Sequence, residues 1–118
     1  MYKVIVAGSR DFDDYPLLER ELIHFLFGRH PNEVEIISGT ARGADQLGER
    51  FAKEKGCALK LFPADWNKNG KAAGPIRNKE MSEYADACVV FWDGVSRGTK
   101  NMIDNAKRKG LKLKIVRY

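Results

Sequence analysis

Several residue types that mark specialised protein classes are scarce in this sequence of 118 residues. It has only two cysteines and two histidines, and none of them shows metal-ligand spacing or a disulfide framework. Cys57 and Cys88 lie in apolar strand-like runs, where they are expected to be small buried side chains. No apolar run approaches membrane-spanning length, and residues 2–7 are too short and too soon followed by polar residues for a signal peptide. We therefore expect one cytoplasmic domain over residues 1–118, with no metal.

Two familiar nucleotide-binding signatures are also missing. The segment GSRDFD differs from G-x-G-x-x-G, and GVSRGTK differs from G-x-x-x-x-G-K-[ST]. This argues against a dinucleotide in the usual Rossmann pose and against a P-loop NTPase. His24 and His30 fall in or just after a predicted helix, so a Ser-His-Asp arrangement has no support.

Positive charge is unevenly distributed along the chain. Residues 1–59 carry 8 basic and 10 acidic side chains, whereas residues 60–118 carry 13 basic and 6 acidic ones, giving a net charge of +5. The cluster at residues 107–117 suits a solvated helix end, because cations are favourable at a helix C-terminus. The alternative is an anionic partner such as nucleic acid. We favour the solvated helix end.

Apolar runs alternate with helical periods along the whole chain. Strands are predicted at 2–7, 34–37, 57–62, 87–92 and 111–116, and helices at 16–27, 43–55, 76–84 and 97–109, with a long loop at 63–75. The uninterrupted run ACVVFW is typical of a central parallel strand. This order predicts a single Rossmann-like three-layer α/β/α domain with an open, mostly parallel five-stranded sheet in the order 3-2-1-4-5.

Glycine, hydroxyl and arginine residues recur where the predicted strands end. In such sheets ligands bind beyond the carboxyl ends of the strands, so these residues are expected to meet at one rim. Unpaired N–H groups at helix starts and planar guanidinium groups both favour phosphate. The predicted ligand-binding residues are Gly8, Ser9, Arg10, Ser38, Gly39, Arg42, Gly43, Asp45, Trp66, Arg77, Asn78, Asp93, Gly94, Ser96, Gly98 and Thr99. Arg97 offers a further guanidinium.

Individual roles follow from chemical type. Arg10, Arg42 and Arg77 would take phosphate, and Asp93 would accept ribose hydroxyls. Trp66 either covers a base or packs on its own domain, and both alternatives stay open. A simpler alternative is that Arg42 and Asp45, or Arg10 and Asp11, pair with each other across surface turns.

Four long segments give the chain a family resemblance. They are GSRDF at 8–12, SGTARGAD at 38–45, FPADWNKNGKAAGPIRNKEM at 62–81 and ADACVVFWDGVSRGT at 85–99. The chain resembles the SLOG superfamily, which includes the Smf/DprA and LOG relatives, and most closely its YspA-like, cpYpsA-related branch. The resemblance implies a Rossmann-like fold, a nucleotide or nucleotide-derived ligand, and phosphate and ribose held by the glycine-rich turns. By analogy it also implies a homodimer.

The resemblance also bears on catalysis. LOG enzymes cleave the N-glycosidic bond of a nucleoside monophosphate, and the position of their signature glutamate is Met102 here. A thioether cannot act as a general base, so an enzyme would need Asp45, Asp65 or Asp93 instead. We favour binding or sensing of a nucleotide-derived phosphorylated ligand, such as a nucleoside phosphate or an ADP-ribose or NAD-derived molecule, with no required cofactor. The alternatives are a LOG-like hydrolase and, less favoured, a nucleic-acid-binding module.

Overall fold

A parallel five-stranded sheet forms the centre of the protein. The computed structural model describes residues 1–118. Its strands are β1 (Tyr2–Gly8), β2 (Val34–Ser38), β3 (Ala58–Leu61), β4 (Ala87–Trp92) and β5 (Lys112–Arg117). Every neighbouring pair is parallel and the order is β3-β2-β1-β4-β5. The predicted fold class and strand order are confirmed.

Four helices and one single-turn helix connect the strands. They are α1 (Tyr15–Phe25), α2 (Ala44–Lys55), α3 (Trp66–Asn69), α4 (Ala73–Tyr84) and α5 (Arg97–Arg108). Single 3-10 turns lie at Pro31–Glu33 and Gly70–Ala72. None of the helices combines the length and the hydropathy needed to cross a bilayer.

Alternating side chains of the central strands supply two apolar layers. In β1, Val4 and Val6 face the layer that packs against α1 and α2. Ile5 and Ala7 face the opposite layer, which packs against α4 and α5 through Met81, Met102, Ile103 and Ala106. Because both faces of β1 and β4 are covered, their sequences are almost continuously apolar.

The segment predicted as a loop at 63–75 is partly helical, which corrects the prediction. Asp65 caps α3 by accepting a hydrogen bond from the backbone N–H of Lys68 (3.0 Å). α4 begins at Ala73, so Pro75 is its third residue and not its opening residue. Proline is tolerated there because the first N–H groups of a helix have no intrahelical acceptor.

The register of the sheet brings the ends of β1 and β4 together. Gly8 at the end of β1 pairs with Phe91 near the end of β4. β2 ends beside β1 on its other side. The carboxyl ends of the strands therefore open onto one rim, which is where the site described next lies.

Candidate functional site

A two-lobed cleft lies at the carboxyl ends of the strands. Its larger lobe has a volume of about 590 Å³ and its smaller lobe about 360 Å³. The smaller lobe is lined by Arg10, Gly39, Thr40, Ala41, Arg42, Ala64, Trp66 and Arg77. The larger lobe is lined by Ala7, Gly8, Ser9, Arg10, Asp11, Ala41, Asp45, Trp66, Gly74, Pro75, Arg77, Asn78, Met81, Asp93, Ser96, Arg97, Gly98, Thr99, Asn101 and Met102. Arg10, Ala41, Trp66 and Arg77 belong to both lobes.

The structure brings all but three of the predicted site residues to the wall of this cleft. The exceptions are Ser38, Gly43 and Gly94. Ser38 is fully buried; its hydroxyl donates to Glu49 Oε2 (2.6 Å) and accepts from the backbone N–H of Thr40 (3.0 Å). Its hydrogen bonds therefore serve the turn after β2.

The two remaining glycines have conformational and packing roles. Gly43 has φ +78° immediately before α2, and a Cβ there would collide with the backbone of Ser9 and Arg10. Gly94 has φ +87°, and a Cβ there would collide with the guanidinium of Arg117. A positive φ and a close approach are each sufficient reason for glycine at these positions.

Arg77 occupies the centre of the cleft. It is half-buried on α4; its Nη1 donates to the carbonyl oxygen of Gly39, and its Nε donates to Asn78 Oδ1 (2.9 Å). A Cβ on Gly39 would lie 2.6 Å from Arg77 Nη1 and 2.9 Å from Asp45 Oδ2. The small residue after β2 therefore makes room for the protein's own guanidinium, which remains available to both lobes through its other N–H groups.

Asp45 places a buried carboxyl group beside Arg77. Its side chain is 5% exposed, and Oδ2 accepts a hydrogen bond from the backbone N–H of Ala41 (3.1 Å). Burial raises the pKa of Asp45 to about 6, while the Ala41 hydrogen bond and the positive charge of Arg77 act in the opposite direction. A carboxyl group with such a pKa inside a cleft is typical of functional sites.

The turn after β4 is held by Asp93 and Ser9. Asp93 Oδ1 accepts from the backbone N–H groups of Val95 and Ser96, both at 2.8 Å. These two hydrogen bonds lower the pKa of Asp93. The Ser9 hydroxyl accepts from the backbone N–H of Asp93 (3.3 Å) and so links the ends of β1 and β4. One Asp93 oxygen is thus committed to the turn.

The N-terminus of α5 forms one wall of the larger lobe. Ser96 caps this helix, accepting hydrogen bonds from the backbone N–H of Thr99 (3.5 Å) and from its hydroxyl (3.1 Å). The N–H groups of Arg97 and Gly98 are in the first turn, where no intrahelical acceptor exists. A Cβ on Gly98 would meet no atom within 4 Å, so this position opens onto free space.

Trp66 and Thr40 border the smaller lobe. Trp66 is the first residue of α3 and is 52% exposed, and its ring lies next to Gly74 at the start of α4. The ring is therefore packed at one edge and half exposed. Thr40 has φ +66°, a strained conformation for a β-branched residue and one that is typical of functional turns.

Several cleft residues were not among the predicted ones. Asn101, Met81 and Met102 line the larger lobe, and both methionines are 1% exposed. Asn101 lies three residues after Gly98 on α5, so helical periodicity applied from Gly98 would have found it. Asp11 also lines this lobe and accepts a hydrogen bond from the Tyr118 hydroxyl (2.7 Å), a long-range contact that the sequence does not signal.

The two lobes differ in charge. Arg10, Arg42 and Arg77 line the smaller lobe without any acidic residue. The larger lobe also has three arginines, but three aspartates accompany them, and its floor includes Met81 and Met102. The arrangement can therefore hold an anion in the smaller lobe and a polar, uncharged group with an apolar face in the larger lobe.

No three His, Cys, Asp or Glu side chains group together as a metal site would require.

Comparisons with known proteins support the family resemblance, and the family model spans the first two of the four sequence segments. YAcAr, described as the YspA, cpYpsA-related SLOG family, matches residues 2–69. The chain is 35% identical over 117 residues to the Gene 61 protein of Mycobacterium phage D29, an alignment that covers 94% of this chain and 93% of that protein. No solved structure matches. The chain belongs to the YspA, cpYpsA-related SLOG family.

Proposed function

We propose that this protein binds a nucleotide-derived phosphorylated ligand, with the phosphate in the smaller lobe and the nucleoside in the larger lobe. The observation that carries the proposal is the difference in charge between the lobes. Three guanidinium groups with no carboxylate in the lining of the lobe favour phosphate, because a guanidinium can donate two parallel hydrogen bonds to it. Membership of a SLOG family supports a nucleotide-related ligand.

The larger lobe has the size and the lining that a nucleoside needs. A volume of about 590 Å³ lies within the range of small-molecule pockets, which is roughly 300–1,000 Å³. Met81 and Met102 lie buried beneath this lobe, and the half-exposed ring of Trp66 offers a surface for stacking. The unpaired N–H groups of Arg97 and Gly98 favour polar or anionic atoms at the same end.

Isothermal titration calorimetry with a panel of ligands tests this proposal. The panel contains AMP, GMP, CMP, UMP, ADP, ADP-ribose, NAD and the four nucleosides without phosphate. We expect binding of at least one phosphorylated member and weaker or no binding of its matching nucleoside, because the guanidinium groups then have no anion. Equal affinity of a nucleotide and its nucleoside, or heat from no member of the panel, would contradict the proposal.

A second candidate, hydrolysis of an N-glycosidic bond, is favoured by one observation. Of the three aspartates considered as substitutes for the signature glutamate, Asp65 caps α3 outside the cleft wall and Asp93 has an oxygen committed to a turn. Asp45 is the one that combines burial in the cleft with a pKa of about 6, which suits a general base near neutral pH. Met102 itself is buried in the floor of the cleft.

Release of free base from nucleoside monophosphates tests the second candidate. The protein is incubated at high concentration with each of the four monophosphates, and the products are separated by chromatography. Base release that Asp45→Asn abolishes would favour hydrolysis. Absence of free base, with nucleotide binding intact, would leave binding as the function.

Nucleic-acid binding has weaker support. Two lysines of the basic C-terminal region form ion pairs, Lys109 with Glu83 (3.6 Å) and Lys114 with Glu21 (2.8 Å). Paired cations contribute less to an anion-attracting surface than free ones.

A further inference from the structure

Three asparagine side chains form a continuous hydrogen-bonded row where α4 packs against α5. They are Asn78 on α4 and Asn101 and Asn105 on α5. Asn78 is 6% exposed and Asn105 is 4% exposed, whereas Asn101 is half-buried and lines the larger lobe. Buried amides of this kind need partners of the correct polarity on both the oxygen and the nitrogen.

At the cleft end of the row, an arginine fixes the orientation of the first amide. Arg77 Nε, which can only donate, is 2.9 Å from Asn78 Oδ1. Asn78 Nδ2 therefore faces the other way, and it donates to the Gly98 carbonyl oxygen (3.3 Å) and to Asn101 Oδ1 (3.0 Å). The atom of Asn101 that faces Asn78 must accordingly be its oxygen.

At the far end, a second arginine imposes the same polarity. Arg108 Nη1 donates to Asn105 Oδ1 (2.9 Å). Asn105 Nδ2 then donates to the Asn101 carbonyl oxygen (3.0 Å) and to Asn101 Oδ1 (3.2 Å). Two groups that can only donate, one at each end, thus orient all three amides without ambiguity.

Asn101 is left with a donor that the protein does not use. Its Oδ1 accepts from Asn78 and Asn105, and its Nδ2 makes no hydrogen bond within the protein. No buried side-chain nitrogen or oxygen of the protein lacks a partner, so this Nδ2 is accessible rather than buried. Asn101 also lines the larger lobe, which is the part of the cleft beside this amide.

We propose that Asn101 Nδ2 donates a hydrogen bond to an acceptor atom on the base of the bound nucleotide, which makes Asn101 a specificity-determining residue. This inference rests on the proposed function, which places the nucleoside in the larger lobe. The lining of the lobe favours a base over a phosphate, since Asp11, Asp45 and Asp93 offset the charge of its three arginines. A fixed donor beside an apolar surface is typical of base recognition.

The substitution Asn101→Asp isolates the donor. Aspartate has the same shape and keeps an oxygen for Asn78 and Asn105, but it replaces the free NH₂ with a second acceptor. Asn101→Ala removes the donor without adding charge. It also removes Oδ1, but Asn78 Nδ2 keeps the Gly98 carbonyl oxygen and Asn105 Nδ2 keeps the carbonyl oxygen of residue 101 as acceptors. Asn32→Asp, at an exposed turn near the start of β2, controls for the change in overall charge, and Asn101→Ala controls for the carboxylate placed at position 101. Circular dichroism and thermal unfolding establish that each variant is folded.

Calorimetric titration compares ribose 5-phosphate, which has no base, with the four nucleoside 5′-monophosphates. For the best-bound nucleotide we expect both Asn101 variants to lose about 10- to 100-fold in affinity, the cost of one hydrogen bond and an unpaired acceptor. In Asn101→Ala the affinity for ribose 5-phosphate should change by less than about 3-fold, because a ligand without a base offers Asn101 no partner. Asn32→Asp should match the wild type with both.

Three outcomes would overturn the inference. Equal losses for the nucleotide and for ribose 5-phosphate in both variants would mean that Asn101 does not act on the base. Unchanged nucleotide affinity would mean that its free donor is not used. If the wild-type protein binds no nucleotide and no ribose 5-phosphate, the proposed function fails first and this inference with it.

Discussion

The two lobes of the cleft share four wall residues and yet differ in electrostatic character. Both contain Arg10 and Arg77, but Asp11, Asp45 and Asp93 line the larger lobe alone. The position of the carboxylates, and not the number of arginines, therefore separates a cationic compartment from a balanced one. Because Arg77 reaches both lobes, it is the residue through which a phosphate and a nucleoside would be held in one geometry.

The largest effect on this comparison is expected from Arg77→Ala. The variant removes the shared guanidinium, and we expect the best-bound nucleotide of the panel to lose at least about 100-fold in affinity, since hydrogen bonds between charged groups are worth roughly 1.5–3 kcal/mol each. Arg77→Lys keeps the charge but loses the planar pair of donors, so its nucleotide affinity should fall between those of the wild type and Arg77→Ala. Calorimetric titration measures both.

Lys79→Ala is the matched control for Arg77. Lys79 is an exposed cation two residues further along α4 and does not line the cleft. If Lys79→Ala weakens nucleotide binding as much as Arg77→Ala does, the effect is one of overall charge and the central place given to Arg77 is wrong.

Asp45, in the wall of the larger lobe, makes the unfolding free energy of the protein depend on pH. Its pKa is raised from 3.8 to about 6 by burial, so the folded state favours the protonated form. The stability that this group contributes is therefore complete below about pH 4 and is lost as the pH rises through about 6. Asp45→Asn does not titrate, so between pH 4 and 7 the wild type should lose about 2–3 kcal/mol of unfolding free energy relative to the variant.

Urea denaturation of both proteins across this pH range measures the difference. The other carboxylates titrate in both proteins and cancel in the comparison. Parallel stability curves would show that Asp45 is ionised in the folded state at its ordinary pKa, and the larger lobe would then carry its three negative charges throughout this range.

Two exposed arginines allow the lobes to be compared directly. Arg42 lines the smaller lobe alone and Arg97 lines the larger lobe alone. With ribose 5-phosphate as the probe, we expect Arg42→Met to weaken binding about 10-fold and Arg97→Met less than about 3-fold, because only the first contacts the proposed phosphate position. The reverse ranking, measured by titration, would place the phosphate in the larger lobe.

The smallest effects are expected from two glycines in the cleft walls. Gly39→Ala would press on the Arg77 guanidinium, 2.6 Å away, and should lower the unfolding free energy by about 1 kcal/mol through the displaced hydrogen bond. In Gly98→Ala the new methyl group meets nothing within 4 Å, and the position lies in a helix. The unfolding free energy should therefore stay equal or rise by less than about 1 kcal/mol.

Urea denaturation midpoints measure these two changes side by side. Equal losses in both variants would mean that the wall of the larger lobe is as closely packed as that of the smaller one. The open space at Gly98 would then have to be reconsidered as part of the cleft.

The sheet and its rim follow from local patterns in the sequence. The run from Ala87 to Trp92 is uninterrupted because both faces of β4 are covered, and its boundaries match the prediction. Parallel strands bring their carboxyl ends to one edge, which is why most of the predicted site residues reach the cleft wall. The helical turns after residue 63 were missed because glycine and proline at 70–75 are typical of loops, and only the Asp65 cap opposes that signal.

The chemistry inside the cleft depends on contacts between distant parts of the chain, which local patterns do not reveal. Glycine at position 39 was expected to admit a ligand, but the structure shows Arg77, 38 residues further on, against its backbone. Asp93 was expected to be free for a ribose, but one of its oxygens accepts from the next turn. The free donor of Asn101 follows from a row of amides that spans two helices.

A crystal structure with the tightest-binding nucleoside 5′-monophosphate of the panel tests the central claim most directly. The account predicts phosphate oxygens within about 3 Å of the guanidinium groups of Arg42 or Arg77, and the base in the larger lobe against Met81 and Met102. A phosphate beside Arg97 with the base in the smaller lobe, or a nucleotide bound outside the cleft, would contradict it.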